Sequence, residues 1–388
     1  MITTINNKHN KLNFSNEREQ SQTCLNSAEH EKNQGRKVLN VPNLRFPEFQ
    51  GEWEEYRIED ITVNISSGRC KSHSSNGKYN LYGSTGIIGK TDEACYEGNL
   101  VLVARVGANA GSLQIINEPC GITDNTLIIK PQKVDAQYIY YFLQHLNLNR
   151  LIFGSGQPLI TGSMLKKVKI SLGNIQEQNK LTRLLSLIDE RISTQSKIIE
   201  DLKKLKSAIS ETLFKDVKGN IVRLSEICEI IKGKQINGEF LSEKGKYYVM
   251  NGGTEPSGYY SDYNVEANTI SISEGGNSCG YVQFNTSPFW SGGHCYTIQK
   301  IADDVDNLYL YHYLKSQEDA IMKLRIGSGL PNIQKKDLAM FKIKIPTVEQ
   351  QRTISTFLSS LERKAEIEEM LLNAMKKEKQ YLLRQMFI

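Results

Sequence analysis

The sequence of 388 residues contains no run of about 20 apolar residues, the length that a membrane-spanning helix requires. Nor does it begin with the apolar core of a signal peptide, so we expect a cytoplasmic protein. Its seven cysteines are scattered without a CxxC pair, and only six histidines could complete a metal site. This pattern is typical of reduced thiols and predicts no zinc site. The net charge of +5 permits a polyanionic partner without requiring one.

The sequence does contain a long internal repeat. Residues 56–214 align with residues 222–387, and both copies carry the segment GSGxPxI, from Gly154 and from Gly327. Each copy begins with short β-rich runs broken by Gly, Asn, Ser and Pro and continues as one long helix. The repeat therefore predicts five parts: a polar, disordered arm (1–40), mixed domains at 41–173 and 219–346, and spacer helices at 174–218 and 347–388.

The two long helices carry apolar residues in alternating steps of four and three. The first seam runs from Leu181 to Leu213 and the second from Ile354 to Met386, with no Pro or Gly inside. A period of 3.5 residues is typical of a coiled coil. An amphipathic helix lying on its own domain is the alternative, although its apolar stripe is usually wider. We therefore predict an α+β fold with two pseudo-twofold-related mixed domains, separated by two long antiparallel coiled-coil helices.

Polar residues interrupt both seams at the same two positions. Gln195 and Lys206 lie at d and a positions of the first helix, and Glu368 and Lys379 take the same places in the second. In an antiparallel pair we expect an a layer to face a d layer, which pairs Lys206 with Glu368 and Gln195 with Lys379. This pairing satisfies all four groups and fixes the register of the helices.

The length of the helices suggests a spacing function. The segment from Leu181 to Leu213 spans about 50 Å at about 1.5 Å per residue. An antiparallel pair of such helices would hold two similar domains at opposite ends, facing the same way. One turn of B-DNA is about 34–36 Å long, so this spacing suits two domains that each contact one half of a DNA target. Because the domains differ at most positions, the two halves should differ as well.

Four segments occur in a distinctive order. They are LRFPEFQGEWEEYRIEDI from Leu44, LYGSTGIIGKTDEACYEGNLVLVARVGANAG from Leu81, the repeated GSGxPxI, and IPTVEQQRTISTFLSSLE from Ile345. Together they closely resemble the specificity (S) subunit of type I restriction-modification systems, and the resemblance covers residues 41–388. One departure is Gly173, where the second copy has Pro346, and it predicts a less sharply defined start of the first long helix.

The resemblance implies that each mixed domain recognises one half of an asymmetric, bipartite DNA site and that the coiled coil sets the gap. It further implies that the chain docks two methyltransferase (M) subunits and that two restriction (R) subunits complete the complex. S-adenosylmethionine, ATP and Mg would belong to those partners, so this chain is expected to be noncatalytic, without cofactor or metal. The alternatives are the specificity subunit of a related system with a fused modification and cleavage partner, and a coiled-coil assembly scaffold that does not bind DNA.

Catalytic signatures are absent from the sequence. There is no methyltransferase motif of the form (D/N)PP(F/Y/W). The segment GSTGIIGKT from Gly83 has five residues between its outer glycines, where a P-loop has four. We expect a β-turn there, or a loop that presents Tyr82 and Ser84 to DNA. A thiol nucleophile at His294-Cys295 is disfavoured because the alignment places Asp124-Asn125 there in the other copy.

Glycine-bounded loops follow a strand in each copy, at residues 107–111 and 275–280. Asn109 in the first loop and Asn277 in the second carry amide groups that match adenine edges. Plain hairpin turns are an equal alternative.

Arg105 and Glu274 align just before these loops. The arginine could contact guanine or phosphate and the glutamate could accept from cytosine, although a drifting surface position would show the same difference. The GSGxP segments could cradle a phosphate or form a structural turn. The further candidate DNA contacts are Lys71, Lys78, Arg150, Ser155, Gln157, Lys232, Lys234, Lys246, Arg325 and Ser328, and the lysines have a solvated surface role as their alternative.

Overall fold

The computed structural model describes residues 39–388 with the exception of 72, 73, 75, 152–157, 328 and 330. The chain forms two compact units: the chain up to Leu185 together with Gln380–Ile388, and Ser186–Lys379. Among the described residues, no helix is long and apolar enough to cross a membrane. The predicted polar arm, apart from residues 39 and 40, lies outside the described residues.

The described residues of the first half form three small sheets. Their strands are β1 (Glu54–Arg57), β2 (Thr62–Ser67), β3 (Tyr79–Gly83), β4 (Gly86–Thr91), β5 (Leu100–Ala104), β6 (Leu113–Ile116), β7 (Cys120–Ile122), β8 (Thr126–Pro131) and β9 (Lys169–Leu172). The strand orders are β2-β8-β5-β6, β4-β3-β7 and β1-β9. The central strand β5 is buried along its whole length, as its unbroken apolar sequence requires.

The second half repeats this arrangement strand for strand. Its strands are β10 (Asn220–Arg223), β11 (Glu229–Lys232), β12 (Tyr247–Met250), β13 (Tyr259–Tyr260), β14 (Thr269–Ser273), β15 (Val282–Asn285), β16 (Trp290–Ser291), β17 (Cys295–Gln299) and β18 (Lys342–Ile345). Their orders are β11-β17-β14-β15, β13-β12-β16 and β10-β18. The correspondence confirms the repeat and the α+β fold class that the sequence predicts.

Short helices pack on the sheets, and one long helix follows each set of strands. The helices are α1 (Ala136–Leu146), α2 (Gly162–Lys166), α3 (Ile175–Asp216), α4 (Leu224–Ile227), α5 (Asn307–Ser316), α6 (Glu318–Met322), α7 (Lys335–Ala339) and α8 (Val348–Met386), with 3-10 turns at Ile58–Ile61, Leu148–Leu151 and Gly238–Phe240. Equivalent aspartates cap α1 and α5: the Asp135 and Asp306 side chains accept backbone hydrogen bonds of the first turn.

Each unit has a core that includes the end of a long helix from the other half. Phe387, just after α8, packs on Tyr138 of the first half with ring centroids 5.3 Å apart. Phe214, near the end of α3, packs on Tyr309 of the second half at 5.7 Å. Both tyrosines are fully buried, and each hydroxyl donates to a backbone carbonyl at 2.8 Å. The ends of the long helices are therefore parts of the domain cores.

The start of α3 is held by several side chains, so the prediction of a loosely defined start is wrong. Asn174 Oδ1 accepts from the Glu177 N–H at 2.9 Å, as a helix cap. Arg45 donates to both carboxylate oxygens of Glu177, at 2.7 and 2.8 Å. Trp53 Nε1 donates to the same carboxylate at 3.1 Å. Gly173 leaves room for this cluster, which a proline ring would fill.

We expect Gly173→Ala to destabilise the first unit by about 1–3 kcal/mol, the usual cost of overpacking. A Cβ atom at Gly173 would lie 2.5 Å from Glu177 Oε2 and 2.7 Å from Trp53 Nε1. Gly238→Ala is the matched control, because a Cβ atom there would meet nothing within 4 Å. Thermal unfolding should show a lower Tm for Gly173→Ala alone, and equal values for both variants would contradict the packing argument.

Candidate nucleic-acid interface

The two glycine-bounded loops have the same conformation. The φ angles are 76° at Gly107 and 75° at Gly276, and 88° at Gly111 and 91° at Gly280. Residues that carry a side chain rarely adopt these φ angles, which explains why glycine occupies these positions. The second glycine of each loop donates to the preceding strand at 2.8 Å. Both predicted loops are therefore tight turns built on one backbone pattern.

The described part of each GSGxPxI segment is hydrogen-bonded to the neighbouring glycine loop. In the first half the Pro158 carbonyl accepts from the Gly107 N–H at 3.2 Å, and the Ile160 N–H donates to the Arg105 carbonyl at 2.8 Å. The second half repeats both bonds, at 3.0 and 2.8 Å. The Pro-x-Ile part is thus a structural connection. The candidates Ser155, Gln157 and Ser328 lie outside the described residues, and their contact with phosphate stays a prediction.

Arg105 and Glu274 occupy equivalent places, as the alignment predicts. Glu274 is 8% exposed, and its Oε1 accepts hydrogen bonds from Lys232 Nζ at 2.6 Å and the Tyr296 hydroxyl at 3.0 Å. Burial and this contact with the Glu274 carboxylate raise the pKa of Tyr296, which keeps its hydroxyl a donor. A carboxylate engaged in this way disfavours direct contact with cytosine. Arg105 is half-buried, and its Nε has no hydrogen-bond partner among the described residues.

The segment GSTGIIGKT is a β-hairpin. Strands β3 and β4 pair with Gly83 opposite Gly86, which leaves Ser84 in the two-residue turn. Gly86 has a φ of 111°, a backbone conformation that favours glycine. A P-loop needs a helix after the loop, whereas a strand follows here. The structure confirms the predicted β-turn, and Ser84 is half-buried in it.

Tyr82 belongs to a network of polar side chains on the three-stranded sheet β4-β3-β7. The sequence did not reveal this network. The Tyr82 hydroxyl donates to Glu118 Oε1 at 2.6 Å, and Asn80 Nδ2 donates to the same oxygen at 2.6 Å. Lys90 Nζ donates to Asn80 Oδ1 at 2.8 Å. Burial, and then the hydrogen bond to Glu118, raise the pKa of Tyr82 to about 12. The hydroxyl therefore stays protonated and bound to Glu118 near neutral pH.

The remaining described candidates lie at the surface. Lys78 and Lys246 are exposed and lie over the rings of the following tyrosines, with Nζ 5.3 and 5.0 Å from the ring centroids. This shared arrangement is a second feature that both halves keep. The other exposed candidates are Lys71, Asn109, Arg150, Lys232, Lys234, Asn277 and Arg325. Their surface positions permit contact with DNA, which stays a prediction.

The register predicted for the helix pair is wrong. Glu368 accepts a hydrogen bond from Gln195, so two d positions meet, where an a position was expected opposite a d position. Lys206 Nζ lies 2.7 Å from Glu362 Oε1, and Lys379 Nζ lies 2.6 Å from Asp189 Oδ1. The prediction paired only seam residues with one another. The long lysine side chains instead reach carboxylates that flank the seam.

The observed contacts are reciprocal between the two helices. Asp189 and Glu362 are equivalent, because each lies four residues after a buried leucine, Leu185 or Leu358. Each seam lysine therefore pairs with the same flanking position of the opposite helix. Contacts made by later residues of α3 involve earlier residues of α8. This reciprocity shows that Ser186–Lys379 contains an antiparallel helix pair with internal twofold pseudosymmetry.

Helix α5 packs on α8 through a buried histidine. His312 is 2% exposed, and its Nε2 lies 2.9 Å from Ser359 Oγ. Burial is the main cause that lowers the pKa of His312, and the charge of Lys206 adds to it, while Glu362 and Asp306 oppose the shift; the pKa is lowered to about 4. The imidazole is therefore neutral at neutral pH.

We expect His312 to make the second unit less stable as the pH falls from about 6.5 to about 4. The unfolded chain, with a histidine pKa near 6.5, binds the proton in this range before the folded chain does. The shift corresponds to a loss of roughly 3 kcal/mol on passing through both pKa values. Denaturant unfolding of the chain and of His312→Gln at pH 7, 5.5 and 4 measures it. The difference in free energy of unfolding between the two proteins should change with pH, and parallel pH profiles would count against a neutral buried imidazole.

Comparison with known proteins gives a consistent result for the sequence. The family profile described as "Type I restriction modification DNA specificity domain" matches residues 50–204 and again residues 216–377. A putative type I specificity subunit of Mycoplasma genitalium is 25% identical over 335 residues, covering 80% of this chain and 87% of the relative. The specificity subunit of type I restriction enzyme MjaVIII from Methanocaldococcus jannaschii is 25% identical over 381 residues, covering 84% and 88%.

A solved structure shares the fold. The crystal structure of a type I restriction-modification S subunit from M. genitalium matches with a TM-score of 0.68 and 21% sequence identity. The match covers 90% of this chain and 99% of that one. Nearly the whole of the described architecture is thus found in a second protein.

Proposed function

This chain belongs to the type I restriction-modification DNA specificity family, and from that membership we propose that its two matched segments each recognise one half of an asymmetric, bipartite DNA site. The helix pair would set the gap between the two halves. In this role the chain supplies sequence recognition to a restriction-modification complex, and the chemistry is performed by its partners.

One observation carries the proposal: the two halves keep the same loop backbone and place different chemical groups on it. The φ angles of the glycine loops agree within a few degrees, while the residues between the matched glycines are Ala-Asn-Ala at 108–110 in one half and Asn-Ser-Cys at 277–279 in the other. Base edges in the major groove differ in their pattern of donors and acceptors. Two loops with the same backbone and different hydrogen-bonding side chains suit the recognition of two different DNA sequences.

The long helices also offer surface for protein partners. On the parts of α3 and α8 that lie within Ser186–Lys379, the exposed large apolar side chains are Leu187, Ile198, Leu205, Phe357, Ile367, Met370 and Leu371. Exposed apolar residues grouped along a helix mark interaction surfaces. We propose that two methyltransferase subunits dock on the helices and neighbouring domains, and that two restriction subunits join them. S-adenosylmethionine, ATP and Mg would be bound by those partners.

Sequencing of methylated bases in the host, with and without this gene, tests the proposal. The wild-type strain should contain a methylated adenine motif with two unlike halves and a fixed gap. Deletion should abolish methylation of that motif, and reintroduction of the gene should restore it. Identical methylated motifs in both strains would refute the proposed function.

A further inference from the structure

Three strand ends of the second half bring polar side chains together. Lys232 ends β11, Glu274 follows β14, and His294 precedes β17. The Glu274 carboxylate lies between the other two: Oε1 is 2.6 Å from Lys232 Nζ, and Oε2 is 3.9 Å from His294 Nδ1. The glycine loop, which both halves share, begins at the next residue, Gly275.

Glu274 is buried, whereas the histidine beside it is exposed. The Glu274 side chain is 10% exposed, and the His294 side chain is 62% exposed. Oε2 of Glu274 is buried and accepts no hydrogen bond from the residues that the structure describes. A movement of about 1 Å would bring Nδ1 of His294 into hydrogen-bonding distance of this oxygen. The carboxylate can thus orient the imidazole without itself reaching the surface.

The His294 backbone is also fixed. Its N–H donates to Asn251 Oδ1 at 3.2 Å, and its carbonyl accepts from the Glu274 N–H at 2.9 Å. With Nδ1 turned towards Glu274, Nε2 lies on the opposite side of the ring. An imidazole held in this way presents one hydrogen-bonding atom outward, as direct contact with a base edge requires.

The first half has a different pair of residues at the same place. The Arg105 N–H donates to the Asn125 carbonyl at 3.0 Å, which matches the bond between Glu274 and His294. Asn125 is therefore equivalent to His294, and the sequence alignment that placed it opposite Cys295 is wrong by one residue. Asn125 is exposed, as His294 is. Asparagine pairs with adenine edges, so both exposed residues can contact bases.

We propose that His294, oriented by the buried Glu274, is a specificity-determining residue that contacts a base edge in the second half of the DNA site, and that Asn125 has this role in the first half. This inference rests on the proposed function and adds one named contact to each recognition domain. Glu274 is a positioning residue, since it acts through His294 and Lys232.

The test replaces the exposed residues one at a time in the full chain and sequences the methylated bases in the host. His294→Ala should reduce the preference at one position of the second half-site by about tenfold or more, the value of a good base contact, and leave the first half-site unchanged. Asn125→Ala should do the reverse. Glu274→Gln, which can still accept from Lys232 and Tyr296, should weaken the same position as His294→Ala with an unchanged Tm.

A matched control lies at the opposite end of the same strands, where Lys300 Nζ is 3.0 Å from Glu229 Oε1. Lys300→Ala removes an ion pair of the same sheet and should leave both half-sites as they are. An unchanged methylation profile for His294→Ala would overturn the inference, and so would an equal loss at every position, which indicates a phosphate contact. If the wild-type chain yields no bipartite motif at all, the proposed function itself fails.

Discussion

Exchange of residues 53–173 for the corresponding segment of another member of this family is expected to change one half of the DNA target and to leave the other half unchanged. The exchanged segment contains every strand that the structure describes in the first half, and its ends are joined by the pairing of β1 with β9, Glu54 opposite Leu172. Because the segment closes on itself, a foreign one can be inserted without altering the second unit.

The exchange has one structural requirement. Phe387 and Met386 at the end of α8 belong to the core of the first unit, as does Leu185 of α3. The incoming segment must therefore keep an apolar surface for these residues, with an aromatic ring at Tyr138. Without this apolar surface and ring, we expect the first unit to fail to fold, because deletion of a buried aromatic contact costs about 3–5 kcal/mol of its free energy of unfolding.

Sequencing of methylated bases measures the result, and the reciprocal exchange of residues 219–346 is the control. That exchange should alter only the other half of the motif. A change in both halves after either exchange would show that the two domains do not recognise DNA independently.

Lengthening both long helices is expected to lengthen the gap between the two halves of the site. One heptad adds about 10 Å along a helix, which corresponds to about three base pairs at about 3.4 Å each. The insertions belong next to Gln195 and next to Glu368, where the helices meet at equivalent positions. Placed there, they leave Lys206 with Glu362 and Lys379 with Asp189.

The size of the insertion also decides how well the longer site is recognised. Three base pairs turn the second half-site by roughly a third of a DNA turn, while a heptad turns the helix by only about 20°. Three heptads add about 31 Å, close to one DNA turn, and restore the facing of the two half-sites. We therefore expect weak methylation with one heptad and strong methylation, at a gap longer by about nine base pairs, with three.

A heptad inserted in α3 alone is the control, because it moves Lys206 away from Glu362 and separates the paired apolar positions. That variant should have a lower Tm and methylate poorly at any gap. If the double insertion with three heptads keeps the original gap, the helix pair does not set the spacing.

The sequence predicted the parts of the fold that depend on repeated patterns. The duplication of GSGxPxI and the aligned β-rich runs predicted equivalent strands in the two halves, although not their order in the sheets, and the 3.5-residue period predicted α3 and α8. The prediction of the register was wrong because Asp189 and Glu362 lie beside the seam, and the apolar pattern used for the prediction includes only seam positions. The four-carbon stem of a lysine lets its ammonium group reach a carboxylate that lies outside the seam.

The two glycine loops were predictable from the sequence, and the contacts of the side chains beside them were less so. Glycine marked the loops because only a positive φ closes them, and Arg105 and Glu274 were found by alignment. Asn125 and His294, which we propose as base contacts, were not predicted from the sequence because the alignment slipped by one residue, and the backbone hydrogen bonds reveal this shift. The Tyr82 contact with Glu118 joins residues 36 positions apart and left no pattern in the sequence.

The reciprocal pairing of the long helices has a consequence for the origin of the chain. Each helix carries both the basic and the acidic partner at matching positions, which is the property of an isologous contact between identical subunits. A polypeptide of half this length would be self-complementary and would bind a palindrome as a homodimer. Fusion of two such genes would preserve the contact within one molecule and would allow the second copy to diverge towards a different sequence.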